Sequence, residues 1–267
     1  MSAALHVESV GAGPPLVLLH GWGMHSGMWG PLTGTLAARY RVHMVDLPGH
    51  GHSAPLAPWT YNAVVDAIRA RFADEDRAPI VVGWSLGGLI ALAWARASPR
   101  SVDRLVLVAT TPRFVAGPDW PHAMSAETLA RFGDELRVAY RMTLLRFLSL
   151  QLRGSDAGKA TLGAMRARLF ERPDPAPAML DAALDALATL DLRSAAGVID
   201  VPALVICGER DALAPAAAGR WLAQAMPDAR CVEIAGAAHV PFLSHPTEFA
   251  RAVARFLDET ERGPDDR

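Results

Sequence analysis

The stretch Pro79-Ile80-Val81-Val82-Gly83-Trp84-Ser85-Leu86-Gly87-Gly88-Leu89-Ile90-Ala91 constrains this chain most. A short apolar run meets G-x-S-x-G and continues into small and apolar residues, the pattern of a buried strand turning sharply into a helix with a serine at the apex. So tight a turn admits only glycine two residues to either side of the serine, because a Cβ would clash, and Gly83 and Gly87 stand there. The turn holds Ser85 in a strained conformation that points its Oγ out of the sheet. The helix starting at Leu86 aims free N–H groups at any charge developing beside it. Such a serine reads as an acyl-transfer nucleophile; the simpler alternative is a glycine-rich turn with an incidental serine.

Upstream, Pro15–Leu19 and Tyr40–Val45 are apolar runs stopped by His20-Gly21-Trp22-Gly23 and by Asp46-Leu47-Pro48-Gly49-His50-Gly51. Both read as buried parallel strands ending in loops, where an open α/β sheet places its site. A helix over 62–72, the Ser85 strand, a helix to about Ala97 and a strand over 104–109 follow, so a right-handed, mostly parallel sheet flanked by helices is the economical topology. From 113 to 194 no strand is evident, only helical segments over 125–152, 158–170 and 176–190, separated by Gly154 and by Pro173-Asp174-Pro175-Ala176-Pro177. The expected organisation is a core of 1–111 and 195–267 interrupted by a helical lid over 112–194. The α/β pattern resumes with a strand over 202–207, a helix over 216–225, a strand over 230–234 and a helix over 246–257. Residues 259–267 are polar and expected to fray.

A chain of 267 residues with 51% hydrophobic content can bury one sizeable core. The formal net charge of −2 gives no global reason to expect nucleic acid, and no apolar run approaches a membrane span. Cys207 and Cys231 fall in apolar runs that read as buried strands, which suits reduced thiols, and a metal site is not expected. These features suit a cytoplasmic monomer without a cofactor.

A serine hydroxyl needs a base within hydrogen-bond reach, and the base needs a carboxylate to fix its tautomer. Asp211 follows the strand ending at Cys207, and His239 follows the strand ending at Ile234. The order Ser85, Asp211, His239 is the one expected when the three meet at the carboxyl edge of such a sheet. Glu209 is the rival carboxylate, closer to its strand. Among the other histidines, His20 props the loop it begins, His50 and His52 sit in a Gly/Pro loop, and His245 precedes a helix. The oxyanion of the tetrahedral intermediate needs donors, for which the N–H groups of Leu86 and Trp22 are the candidates.

Projected at about 100° per residue, the lid helix over 125–152 puts Phe132, Leu136, Ala139, Tyr140, Thr143, Phe147 and Leu150 in one stripe facing the site or the core. Between 137 and 168 the bases Arg137, Arg141, Arg146, Arg153, Lys159, Arg166 and Arg168 face the single acid Asp156. That excess reads either as a solvated basic face or as a surface for an acidic partner.

The elbow Gly83–Gly88, the loop His20–Gly23, Asp211 in Glu209–Pro215 and His239 in Ala237–Pro246 resemble the α/β-hydrolase superfamily over nearly the whole chain. Trp22, Trp84 and Phe147-Leu148-Ser149-Leu150-Gln151 narrow the resemblance to the carboxylesterases that demethylate pimeloyl-[acyl-carrier protein] methyl ester in biotin synthesis. The resemblance implies a Ser85–His239–Asp211 acyl-enzyme mechanism and an acyl-carrier protein bearing the substrate. It also implies substrate contacts by Trp22, Ser85, Leu86, His239 and residues 147–151, with Arg137, Arg141, Arg146, Arg153 and Lys159 as candidates for docking the carrier. Lys159 and Gly163 fall where that family suggests arginines, and Arg141 is offset. The alternatives are a short-chain carboxylesterase without carrier specificity, a non-catalytic ligand-binding member of the fold, and a lyase on the same scaffold.

Overall fold

The computed structural model describes residues 4–261. Strands β1 (Val7–Val10), β2 (Pro15–Leu19), β3 (Arg41–Val45), β4 (Ile80–Trp84), β5 (Arg104–Val108), β6 (Ala203–Gly208) and β7 (Ala229–Ile234) form one sheet in the order β1-β3-β2-β4-β5-β6-β7. Only β1 runs antiparallel, against β3. The other neighbours pair in parallel, as the strand–helix alternation predicts. Every residue of β2, β4, β5 and β6 is buried. Strands covered on both faces carry no polar alternation, which is why their sequences are continuous apolar runs. Strand β1, Val7-Glu8-Ser9-Val10, was not expected; it is short, half polar and at an edge, so it carries no such run. Cys207 is buried in β6, but Cys231 is only half-buried because β7 is the opposite edge, and both thiols are free.

Helices α1 (Leu32–Ala37), α2 (Tyr61–Arg71) and α3 (Leu86–Ala97) lie between the early strands. Between β5 and β6 come α4 (Ala126–Gln151), α5 (Gly158–Leu169), α6 (Pro177–Thr189) and α7 (Arg193–Ala196), with α8 (Ala216–Ala225), α9 (Pro241–Ser244) and α10 (Pro246–Glu261) following β6. The last helix outruns its expected end at Leu257. Glu259 accepts from Arg255 Nε at 2.8 Å and pairs with Arg230 on β7, which secures the final turn. Of the segment expected to fray, 262–267 lies outside the described residues.

Helix α4 departs from the straight helix expected. Ala139 has φ −142° and ψ 59°, which breaks it into two arms that fold back on each other. The Phe132 and Phe147 ring centroids are 5.2 Å apart, where a straight helix would separate them by about 22 Å. Across the break the Thr143 hydroxyl donates to the Glu135 carbonyl at 3.0 Å, and Arg146 Nη1 meets Glu135 Oε2 at 3.4 Å. The single stripe is therefore divided. Phe132, Thr143, Phe147 and Leu150 turn to one cavity, Leu136 is in the core, and Ala139 is exposed.

Candidate active site

Ser85 stands between β4 and α3 with φ 56° and ψ −115°, a left-handed conformation that costs a non-glycine residue of order 1–3 kcal/mol. The surroundings enforce it. A Cβ on Gly83 would overlap the Gly87 carbonyl, and one on Gly87 would overlap the Leu19 carbonyl of β2, so the helix can start this close to the sheet only through glycine. The Ser85 N–H donates to the Val108 carbonyl at 2.9 Å, and the Thr110 hydroxyl donates to the Ser85 carbonyl at 2.8 Å. Among the described residues, neither the Trp22 nor the Leu86 backbone N–H donates to a protein acceptor.

His239 and Asp211 meet beyond the ends of β7 and β6, with His239 Nδ1 2.8 Å from Asp211 Oδ2. Asp211 Oδ1 accepts from the Leu213 and Ala214 N–H groups at 2.8 and 3.0 Å, so a carboxylate with no solvent exposure is fully hydrogen-bonded. Bonding to a carboxylate makes Nδ1 the protonated nitrogen and leaves Nε2 free to accept. Glu209 instead accepts from the Gly236 N–H at 2.8 Å with its side chain about half exposed, outside the cluster. The His239 backbone is held too, its N–H by the Gln151 carbonyl and its carbonyl by Trp84 Nε1, both at 2.9 Å. No sequence pattern announces either bond, since each joins residues distant along the chain.

Ser85 and His239 line one cavity of about 330 Å³, walled by Trp22, Phe114, Leu129, Phe132, Phe147, Leu150, Leu184, Leu187 and Leu213. Thr128, Arg131, Glu135 and Arg146 are its exposed lining residues on α4. Among the described residues the Ser85 hydroxyl makes no protein hydrogen bond, which leaves its Oγ available at the cavity wall that His239 shares. Trp22 lines the cavity as expected, and its indole N–H donates to the Leu180 carbonyl of α6 at 3.0 Å. Of the expected 147–151 contacts only Phe147 and Leu150 reach the cavity. They share a helix face at i, i+3, which turns Leu148, Ser149 and Gln151 away. The Leu86 side chain is also buried outside the cavity, leaving its backbone as its only link to the site.

The basic excess is smaller than the sequence window suggests, because acids from outside 137–168 fold onto it. Arg137 pairs with Asp134 and Asp181, Arg141 with Asp174, and Arg146 with Glu135. Arg153 and Lys159 are exposed and make no ion pair among the described residues.

His20 does brace its loop. Its Nδ1 donates to the Gly21 carbonyl at 2.8 Å, and its Nε2 accepts from the Leu47 N–H at 3.0 Å. Burial, with the neighbouring His50 charge, pushes its pKa down to about 3 against the pull of Asp46, and burial brings His50 to about 4. Burial alone would raise Asp46, but His20 and the His52 and Ser26 N–H groups outweigh it and hold the carboxyl at about 2. Among the described residues no group of three His, Cys, Asp or Glu side chains could hold a metal ion, and no helix is long and apolar enough to cross a membrane.

A parallel sheet, a strained serine elbow and a His–Asp pair beyond later strands define a class, and the chain belongs to the alpha/beta hydrolase family, whose sequence profile matches residues 16–252. The chain is 45% identical over 254 residues to the pimeloyl-[acyl-carrier protein] methyl ester esterase of Chromobacterium violaceum, covering 95% of this chain and 98% of that protein. The same enzyme of Nitrosomonas europaea is 42% identical, with 92% and 97% covered. Among solved structures, an esterase from Exiguobacterium antarcticum superposes with a TM-score of 0.88 at 21% identity, 96% of each chain being covered, a likeness of fold. The enol-lactonase from Burkholderia xenovorans LB400 gives 0.83 at 28% identity, with 96% of this chain and 97% of that one covered.

Proposed function

We propose that the chain is a serine carboxylesterase that removes the methyl group from pimeloyl-[acyl-carrier protein] methyl ester in biotin synthesis. What carries the reading is one juxtaposition. A serine elbow and a His–Asp pair open onto a single apolar cavity, in a chain that matches the Chromobacterium violaceum esterase over 95% of its length.

The apolar arm of the substrate lies along Trp22, Phe132, Phe147 and Leu150 and brings the distal ester to Ser85. His239 Nε2 takes the hydroxyl proton as Oγ attacks the ester carbonyl, and Asp211 holds the imidazolium at Nδ1. The Trp22 and Leu86 N–H groups receive the oxyanion, an interaction worth about 3 kcal/mol per donor in such sites. Methanol leaves with the proton from His239. Water, deprotonated by the same imidazole, then cleaves the acyl-enzyme to the free carboxylate. In this reading 112–194 is the lid over a core of 1–111 and 195–267. Arg153 and Lys159, with charges not spent on ion pairs among the described residues, meet the acidic carrier. Arg137, Arg141 and Arg146 contribute only by exchanging an existing partner.

Comparing kcat/KM on the methyl pimeloyl carrier substrate with that on free methyl butyrate tests the assignment. The expected preference for the carrier-bound ester is about tenfold or more. Charge reversal at Arg153 and Lys159 is expected to raise KM for the carrier substrate only. Equal kcat/KM on the two esters, with no effect of the reversals, would leave a general short-chain esterase.

A further inference from the structure

We infer that Trp84 is a positioning residue whose indole fixes the distance between the base His239 and the nucleophile Ser85. The inference rests on the reading of Ser85 and His239 as catalytic groups.

Trp84 directly precedes Ser85, so anything its side chain grips is held at a fixed place relative to the serine. The indole is buried, and its Nε1 donates to the His239 carbonyl at 2.9 Å. The opposite side of that residue is fixed from α4, where the Gln151 carbonyl accepts the His239 N–H. The same indole lies against the loop carrying Trp22. A Cβ built on Gly21 would stand 3.3 Å from the Trp84 ring and 3.4 Å from Ser85 Cβ. One side chain therefore touches the base residue and the loop proposed to receive the oxyanion, while its own backbone leads into the nucleophile.

Trp29 supplies a contrast. It belongs to the same aromatic cluster, 6.4 Å from Trp84 and 4.6 Å from Phe242 between ring centroids, and Trp84 is 5.2 Å from that phenylalanine. Trp29 is buried as deeply, yet its Nε1 has no partner among the described residues. Of the two indoles, only that of Trp84 holds His239. Without its donor the His239 carbonyl is left buried and unpaired, and the loop shifts to find another. Small displacements of a base from its nucleophile are costly in rate.

The test measures kcat per active site, with sites counted by the fluorophosphonate adduct on Ser85, in Trp84→Phe and Trp29→Phe. A lost hydrogen bond of this kind is expected to lower kcat per titrated site about tenfold in Trp84→Phe with KM within about twofold. Trp29→Phe is expected to lower Tm and leave kcat per site within about twofold. If Trp84→Phe gives no cooperative melt, position 84 is filled with β-(3-benzothienyl)alanine, which keeps the indole shape and replaces its N–H with sulfur, and the same loss is expected. Unchanged kcat per site in the folded Trp84 variant, or an equal loss in Trp29→Phe, would overturn the inference. Absence of any Ser85 adduct on the unmodified protein would instead overturn the reading on which it rests.

Discussion

Asp211 keeps its carboxylate wholly out of solvent, one oxygen on His239 and the other on two backbone amides, whereas Glu209 stands about half exposed on Gly236. Only the first can orient the imidazole and stabilise it when protonated. Asp211→Asn is expected to lower kcat about 10³- to 10⁴-fold by leaving the imidazole in the wrong tautomer. Glu209→Gln is expected to keep kcat within about twofold. Steady-state kinetics on any turned-over ester decides between them, and a larger loss in the Glu209 variant would reverse the assignment. That Asp211 and His239 meet was legible in the sequence, because each directly follows its strand. The grip of Trp84 and Gln151 on His239 was not, since hydrogen bonds across the fold leave no local pattern.

At the scale of elements, the helices between β5 and β6 are tied to the sheet by a few polar contacts. Arg172, ahead of α6, reaches Asp46 at 2.7 Å and Glu8 at 2.6 Å, and His25 Nε2 donates to the Arg168 carbonyl at 3.0 Å. Asp46 has no solvent exposure and Arg172 little, so removing the guanidinium strands a buried charge. Arg172→Ala is expected to cost about 3 kcal/mol in urea denaturation and to bring proteolytic cleavage in 112–194 at lower protease doses. A loss under about 1 kcal/mol would mean that the Ser26 and His52 N–H groups satisfy Asp46 alone. Strands β2, β4, β5 and β6 were legible because burial on both faces writes a continuous apolar run. The edge strand β1 was not, and neither was the break in α4, since Ala139 carries neither glycine nor proline to announce it.

Over the whole molecule, buried neutral histidines set the acid side of stability. Burial lowers His20 to about 3 and His50 to about 4, and lowers His25 and His43 as well, against an ordinary value of 6.5. Each folded-state pKa lies below its unfolded value, so unfolding takes up protons below pH 6.5. The stability these groups hold above that pH is lost as pH falls through the window toward 3. His50→Gln is expected to flatten the pH dependence of the unfolding free energy near pH 5 by about 1.2 kcal/mol per pH unit. Urea titrations between pH 4.5 and 7 measure it, and an unchanged slope would mean that His50 titrates normally in the folded protein.

The nucleophile carries the whole account, and covalent trapping addresses it most directly. Intact-mass measurement after incubation with a fluorophosphonate, followed by peptide mapping, is expected to find one adduct per chain, on Ser85, and none in Ser85→Ala, which also loses ester turnover. An adduct on another residue, or ester turnover that persists in Ser85→Ala, would contradict it.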